Sequence, residues 1–242
     1  MTQDTWQVHE VAETVAVRVT GAMPALAAAT EAAVEALWQA AQQRTGGRLF
    51  NGRVFSADAI HRDRVDGHWT EFRRVVAQMD RPALFAALGV RPLAVNGLVM
   101  GPDFVVFGRR PDAAIYQPGQ WQLPPAGSID PGAASGDVAD PVAQLRAELI
   151  EELGMPADSV HSPRALAIVE HPGSHVCDLG IAVATGWDAA AIRAAHAAHG
   201  NGEYAALELV PRAALPGFLA RHAGQVTGQA PVFLARAGLI GG

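Results

Sequence analysis

The sequence has little of several residue types. Its 242 residues include one cysteine, Cys177, and two tyrosines, and all 18 basic residues are arginines, so lysine is absent. A single cysteine excludes an intramolecular disulfide and a zinc site built from several cysteines of one chain. With 24 acidic residues the formal net charge is -6, which argues against a role in coating nucleic acid, because such a role needs a basic surface.

Long apolar runs are also missing. No run reaches the roughly 18 residues that a membrane-spanning helix needs, and the segment MTQDTWQVHE has neither the basic region nor the apolar region of a signal peptide. We therefore expect no membrane partner and a reduced, cytoplasmic location. Half of the residues are hydrophobic and 17% are charged, a balance that supports a buried core in one large domain or in a domain with an extension.

The spacing of apolar residues predicts strands and helices in mixed order. In the first half it predicts a strand over 11–20, a helix from Pro24 to Arg44, two strands in LFNGRVFSADAI and HWTEFRRVVAQM around an Asp66-Gly67 turn, a short helix in PALFAALG, and a hairpin of RPLAVNGLVM and DFVVFGRRP. In the second half it predicts a helix from Asp140 to Leu153, strands in ALAIVE and LGIAVAT, a helix in DAAAIRAAHAAH, a strand in LELV and a helix over 212–222. Strands and helices without a regular βαβ alternation favour an α+β fold.

Three carboxylates crowd one face of the helix that begins at Asp140. At about 100° per residue, Glu148, Glu151 and Glu152 lie within an arc of about 100°, beside an apolar stripe that buries the helix. Like charges this close repel one another. A hard divalent cation with oxygen ligands, Mg²⁺ or Mn²⁺, would offset that repulsion. The alternative interpretation is an acidic face that is simply solvated.

The residues around these glutamates resemble the motif of the Nudix hydrolase family, G-x5-E-x7-R-E-U-x-E-E-x-G-U, where U is a bulky apolar residue. The match is in register over AELIEELGM, residues 147–155, and GQWQLPPAGSID makes Gly127 the first glycine of the motif. DFVVFGRRP resembles the family's preceding strand. The resemblance covers roughly residues 91–215. It implies an α/β/α sandwich with a mixed sheet over 91–242 and an N-terminal α+β extension, residues 1–90, that packs on this core.

The sequence departs from the family motif at three places. Ala147 stands where the family has arginine, and the neighbouring Arg146 lies on another side of the helix. Twenty residues separate Gly127 from Ala147, about six more than the motif has. The family's first glutamate falls on Ala139, for which Asp137 or Asp140 would have to substitute. These losses bear on catalytic efficiency more than on metal binding, because the three helix glutamates are present.

The resemblance implies a hydrolase that acts on acid anhydrides and cleaves the diphosphate of a nucleoside diphosphate derivative. It implies Mg²⁺ (or Mn²⁺) held by Glu148, Glu151 and Glu152, with Glu151 and Glu152 also catalytic. Glu203, in the loop GNGEYAALELVP, is the candidate general base, since many Nudix proteins carry a glutamate on such a later loop. The alternative for Glu203 is an ordinary loop acid.

Four residues are candidates for substrate binding: Arg109, Arg110, Gly127 and Trp121. Arginine suits bidentate contacts to phosphate, but adjacent strand positions face opposite ways, so at most one of Arg109 and Arg110 should reach the substrate. Trp121 has two interpretations: its ring either stacks on a base of the substrate or packs in the core and closes it. Tyr116 is a further stacking candidate, and Glu170, His171, His175 and Asp178 either line the cleft or form a plain loop.

The first ninety residues resemble, in their order of features, the Nudix group that cleaves UDP-glucose and UDP-galactose. The features are Phe50-Asn51-Gly52 and Leu88-Gly89-Val90 ahead of the first core strand. The expected substrate is therefore a UDP-sugar, cleaved to UMP and a sugar 1-phosphate. The alternatives are an ADP-ribose, NADH or CoA-type pyrophosphatase, or a catalytically weakened Nudix module that only binds nucleotides. A small nucleotide is the expected partner, and a homodimer is possible.

Overall fold

The computed structural model describes residues 6–241; residues 1–5 and 242, including the start of the expected extension, lie outside the described residues. The strands are β1 Gln7–His9, β2 Ala16–Val19, β3 Arg53–Ile60, β4 Arg64–Glu71, β5 Leu93–Met100, β6 Phe104–Arg109, β7 Trp121–Gln122, β8 Ala126–Ser128, β9 Ala134–Ser135, β10 Val138–Ala139, β11 Val160–Glu170, β12 Cys177–Thr185 and β13 Ala206–Pro211. The α-helices are α1 Ala28–Thr45, α2 Phe72–Asp80, α3 Phe85–Leu88, α4 Pro141–Leu153, α5 Ala189–His199, α6 Leu215–Arg221 and α7 Gln229–Arg236.

The larger sheet has helices on both faces. Its strand order is β1-β11-β12-β5-β6-β13, with β7 paired to β6 and β8 paired to β5. It is mixed, because β12 and β5 run parallel whereas β11 and β12 run antiparallel. Leu145, Leu149 and Leu153 of α4 are buried in the core on one face, and Phe218 of α6 and Phe233 of α7 are buried in the core on the other. The expected α+β fold is confirmed.

A second, smaller sheet joins segments from far apart in the sequence. Its order is β3-β4-β2-β10-β9. Strand β2 pairs in parallel with β4 and antiparallel with β10, where Val17 faces Ala139. The expected insertion between Gly127 and the motif helix thus contains a short hairpin, β9 and β10, with Gly136 at φ 58°. Strands from both sides of residue 90 share this sheet, and the division of the chain at residue 90 stays a prediction.

Helix α4 begins and ends where its sequence predicts. The Asp140 side chain accepts hydrogen bonds from the backbone N–H groups of Val142 and Ala143, and Pro141 occupies the first turn, where no N–H is needed. Gly154 ends the helix at φ 66°, a left-handed conformation that glycine adopts without strain. These local signals fix the position of the three glutamates along the chain.

The prediction for residues 61–80 was wrong in two respects. The turn lies between β3 and β4 at 61–63, and Gly67 lies inside β4, where an added Cβ would stand 2.1 Å from the Ser56 carbonyl oxygen. FRRVVAQMD forms helix α2 instead of a strand: Phe72, Val75, Val76 and Met79 recur at helical spacing, and Asn51 Oδ1 accepts a hydrogen bond from the backbone N–H of Arg73 in the first turn. Helix α7, which follows 212–222, was also missed. Within residues 6–241, no helix combines the length and apolarity needed to cross a membrane.

Candidate functional site

Glu152 is the buried acid of the candidate site, with 3% of its surface exposed. Its Oε2 accepts two hydrogen bonds of 2.9 Å, one from the backbone N–H of Ala126 and one from the Tyr204 hydroxyl. Burial raises the pKa of Glu152 well above its usual value, and the charges of Glu148 and Glu203 raise it further. Both hydrogen bonds fall on Oε2, so Oε1 is free of hydrogen bonds within the described residues.

Glu148 lies one helical turn earlier and is half-buried. Its Oε1 accepts a 2.8 Å hydrogen bond from Gln144 Nε2. Burial raises the pKa of Glu148 to about 7 against the effect of that hydrogen bond, with further contributions from the charges of Glu151, Asp130 and Glu203. A Cβ at Gly127 would stand 2.0 Å from Glu148 Oε1, so the carboxylate occupies the space that only a glycine leaves open.

Glu151, the third helix glutamate, is exposed, as are Ala147 and Arg146. In the part of the chain that the structure describes, no three His, Cys, Asp or Glu side chains are grouped as a ready set of metal ligands. Glu148 and Glu152 nevertheless fit a divalent cation, because both are hard oxygen donors whose raised pKa values reflect crowded negative charge in a desolvated place. A cation there would relieve this crowding.

Glu203 and Arg110 form an ion pair near these acids. Arg110 Nη1 lies 2.7 Å from Glu203 Oε1, and Arg110 Nε donates to the Tyr116 carbonyl oxygen at 2.8 Å. The preceding Arg109 pairs instead with Asp112 on the exposed side of the strand end. Only Arg110 of the two arginines lines the cavity beside Glu203.

A cavity of about 490 Å³ opens beside this ion pair. Four groups of residues line it: the central strands and the residues next to them (Pro92, Ala94, Asn96, Gln122, Ala126, Gly127, Ser128, Val176, Asp178), helices α1 and α2 with the segment after α1 (Thr45, Arg48, Leu49, Phe72, Val75, Met79), the loop after β6 (Arg110, Pro111, Ala113, Ala114, Ile115, Tyr116), and Glu203 with Gln229. Its volume lies in the range of about 300–1,000 Å³ that small-molecule sites occupy. The cavity therefore has room for a nucleotide.

Sequence reasoning missed two polar residues on the cavity floor, Asn96 and Gln122. Gln122 Nε2 donates to the Tyr204 hydroxyl at 2.7 Å, and so connects the cavity to Glu152. The signal for both was a polar residue inside an apolar strand, Asn96 in LAVNGLVM and Gln122 in WQL. Asp178, which the sequence offered only as one of several loop acids, also lines the cavity, and burial raises its pKa to about 7.

Trp121 packs into the apolar core beneath α6. Its ring centroid lies 5.6 Å from that of Phe218 and 5.5 Å from that of His222. This position corresponds to the core-closing interpretation, and the geometry gives no support to stacking of Trp121 on a substrate base. Tyr116, the other stacking candidate, does line the cavity.

Glu170 and His175 belong to a separate network of ion pairs. Glu170 Oε2 lies 2.6 Å from Arg91 Nη2, and Glu170 Oε1 lies 2.9 Å from His175 Nδ1. Burial works to raise the pKa of Glu170, but hydrogen bonds from His9, Arg91 and His175 outweigh it and lower this pKa to about 2. The network ties β11 to the start of β5.

Comparisons with known proteins give likeness in structure alone. No family model matches the sequence, and no curated protein matches it. Among solved structures, the chain is similar to a protein of Deinococcus radiodurans (18% identity, 75% of this chain and 96% of that chain, TM-score 0.47). It is also similar to a Nudix hydrolase of Nitrosomonas europaea (12% identity, 61% of this chain and 88% of that chain, TM-score 0.43). A third similar structure is an ADP-ribose pyrophosphatase of Streptococcus suis (17% identity, 63% of this chain and 96% of that chain, TM-score 0.38).

All three likenesses fall below 25% identity and below a TM-score of 0.5. They therefore carry no argument about the function of this chain.

Proposed function

We propose that this protein is a Nudix-type hydrolase that cleaves the diphosphate of a nucleoside diphosphate derivative, with a UDP-sugar, giving UMP and a sugar 1-phosphate, as the preferred substrate. The observation that carries the proposal is the pair formed by the half-buried Glu148 and the buried Glu152, held against Gly127 and Ala126 beside a cavity of nucleotide size. The pair coincides with two of the three motif positions that the resemblance assigns to metal.

Glu148 and Glu152 would hold Mg²⁺ or Mn²⁺, with Glu151 reaching in from the exposed side of α4. When bound there, a divalent cation neutralises diphosphate charge and lowers the pKa of the attacking water. Tyr204 and the Ala126 N–H fix the Glu152 carboxylate, so that its free oxygen keeps one orientation. A carboxylate fixed in advance loses less entropy on binding its ligand.

Arg110 and Glu203 are the proposed substrate and base residues. A diphosphate entering from the cavity would compete with Glu203 for the Arg110 guanidinium, since phosphate and carboxylate accept from the same donors. Release from this ion pair would leave Glu203 beside the cleavage site as a proton acceptor for the attacking water. Substrate binding and activation of the base would thus be coupled through a single arginine.

The packing of the first ninety residues supports their proposed role as an extension on the core. Leu49, which follows α1, and Phe72 of α2 line the cavity on the side away from the sheet. A cavity wall from this part of the chain supports a role in selecting the substrate, which is why the order of features in residues 50–90 is retained as an argument for a UDP-sugar.

A substrate panel in ¹⁸O-water tests the proposal. UDP-glucose, UDP-galactose, ADP-ribose, NADH and a CoA ester are each incubated with Mg²⁺ or Mn²⁺, and the products are identified by mass spectrometry. We expect UMP and hexose 1-phosphate, with the label in one of them, because water attacks phosphorus. Free hexose together with UDP would refute attack on phosphorus. Faster cleavage of ADP-ribose or the CoA ester than of either UDP-sugar would overturn the assignment of a UDP-sugar as substrate.

A second candidate function, nucleotide binding without efficient cleavage, is favoured by one observation. Position 147, where the motif has arginine, holds an exposed alanine, and Arg146 beside it is exposed as well. The same panel separates the two functions: binding of UDP-sugars in calorimetry together with no product after prolonged incubation would favour the binding module.

A further inference from the structure

The cavity floor is a small patch of the larger sheet in which three neighbouring strands present side chains to the same face. Ala94 of β5 is the register partner of both Ser128 in β8 and Asp178 in β12. Two residues along β5, Asn96 is the register partner of Ala126 and Gly180. Because side chains two residues apart on a strand share a face, Asn96 and Asp178 are diagonal neighbours on the floor.

These floor residues carry polar atoms without partners. Asn96 is 1% exposed, and neither its Oδ1 nor its Nδ2 has a hydrogen-bond partner within residues 6–241. The same holds, among those residues, for Asp178 Oδ2 and for the Tyr116 hydroxyl, both of which line the cavity too. Buried polar groups are nearly always hydrogen-bonded, because an unsatisfied one loses its hydration without compensation. A cluster of them around one cavity indicates a polar ligand.

The opposite wall of the cavity has a different chemistry. Apolar side chains make up most of it: Phe72, Val75 and Met79 of α2, Leu49 of the segment after α1, and Ile115 of the loop after β6, with Thr45 and Arg48 as its polar members. A ligand that fits must therefore be apolar on its broad surface and polar along one edge. A nucleobase has this distribution, since its flat faces are apolar and its edge carries adjacent donors and acceptors. A hexose fits less well, since its hydroxyl groups surround the whole rim of the ring and an apolar wall would leave most of them without partners.

We propose that Asn96 and Asp178 bind the edge of the substrate's nucleobase, with the Asn96 amide supplying one donor and one acceptor. The inference rests on the proposed function, whose substrate it describes more closely. Arg110 and Glu203 line the same cavity toward the glutamates. A nucleotide with its base on the floor would thus direct its phosphates toward the proposed cleavage site.

Calorimetry with nucleoside monophosphates tests this inference without requiring cleavage. UMP, AMP, GMP and CMP are titrated into the full chain, with ribose 5-phosphate as the base-free reference. We expect at least one nucleotide to bind at least about tenfold more tightly than ribose 5-phosphate. Asn96→Leu, which keeps the size of the side chain but removes its amide, should abolish that difference, since one to two net hydrogen bonds correspond to about this factor.

The same substitution gives a second readout that a merely structural asparagine would not show. Asn96→Leu removes two unsatisfied buried atoms, so the melting temperature should rise by about 2–4 °C while the preference for a base is lost. Thr70→Val is the matched control, because Thr70 Oγ1 is also buried without a partner within the described residues, outside the cavity lining. It should raise the melting temperature and leave nucleotide binding unchanged.

The outcomes separate this inference from the proposed function. Equal binding of ribose 5-phosphate and of all four nucleotides to the wild-type chain would overturn the inference, as would a base preference unchanged in Asn96→Leu. Should Asn96→Leu fail to fold, Asn96→Ala and Asp178→Asn offer the same comparison. Tight, Asn96-dependent nucleotide binding in a protein that cleaves no diphosphate would support the inference and overturn the proposed function.

Discussion

Tyr204 donates its hydroxyl hydrogen to Glu152 Oε2 at 2.9 Å and accepts a hydrogen bond from Gln122 at 2.7 Å. Both Tyr204 and Gln122 are about 2% exposed, so neither bond is replaced by water. The buried acid on α4 is thereby fixed by a residue of the loop before β13, which also carries Glu203. Fixing the acid and placing the proposed base depend on the same short segment.

Tyr204→Phe tests this connection. The substitution leaves Gln122 Nε2 without its acceptor and removes one of the two donors to Glu152, so the free energy of unfolding should fall by about 1–2 kcal/mol. Chemical denaturation measures the loss. The only other tyrosine supplies the control: the Tyr116 hydroxyl has no partner within residues 6–241, and Tyr116→Phe should cost nothing. Equal losses in both variants would contradict the assigned role of the Tyr204 hydroxyl.

Glu152→Gln should remove most divalent-cation binding and lower turnover by at least about a hundredfold, as expected when a group that stabilises transition-state charge is lost. Titration of Mn²⁺ by calorimetry measures the first effect, and the rate of phosphate-ester release measures the second. Glu35→Gln serves as the control, because Glu35 is an exposed glutamate on α1. Unchanged Mn²⁺ affinity in Glu152→Gln would remove Glu152 from the proposed ligand set.

Gly127→Ala should impair activity much more than stability. The new Cβ would stand 2.0 Å from Glu148 Oε1, and the end of that side chain would have to move away. Since displacements of about 1 Å at a catalytic group cost up to a hundredfold in rate, we expect turnover to fall by at least tenfold. Gly186→Ala is the matched control for Gly127→Ala, because nothing lies within 4 Å of a Cβ at Gly186. A fully active Gly127→Ala protein would show that Glu148 need not keep its position.

Acid should destabilise the protein through Glu170. Its pKa is about 2 in the folded chain and near 4.5 in an unfolded one, so the unfolded state binds the proton first as the pH falls. The contribution of ionised Glu170 to the free energy of unfolding, up to about 3 kcal/mol, is complete above about pH 4.5 and is lost as the pH falls toward 2. Urea denaturation at several pH values measures it.

Glu170→Gln is the comparison for this pH series. The variant should be less stable at pH 7, because Arg91 loses its charged partner, and its stability should fall less between pH 5 and 2. Parallel curves for the two proteins over that range would assign the acid sensitivity to other carboxylates.

The sequence predicted features that depend on neighbouring residues and missed those set by distant ones. Asp140, Pro141 and Gly154 determine the ends of α4 locally, and this helix was placed correctly. Val75 and Val76 favour a strand by propensity, yet they lie in α2, where Phe72, Val75, Val76 and Met79 recur at helical spacing and pack against the core. The hydrogen bond that supports the first turn comes from Asn51, 22 residues before Arg73, and no neighbouring residue reveals it.

The candidate site also combines features that neighbouring residues determine with features that depend on distant parts of the chain. The acidic face of α4 follows from helical spacing, and the nearness of Gly127 to Glu148 followed only from the family resemblance. The exposure of Glu151, next to the buried Glu152, depends on which side of α4 meets the sheet. The diagonal placement of Asn96 and Asp178 on the cavity floor depends on the register between β5 and β12. These strands are about eighty residues apart in the sequence, so neither strand alone determines their alignment.

Pairing between strands β1 and β11 has a consequence for how the chain is made. Gln7 lies beside Glu170, so β1 leaves the ribosome long before its partner β11 is translated. At roughly 5–20 residues per second, β1 waits on the order of ten seconds or more for β11. During that interval its backbone donors and acceptors are open to other chains, and a trigger-factor-like chaperone or rapid translation should improve the yield of soluble protein.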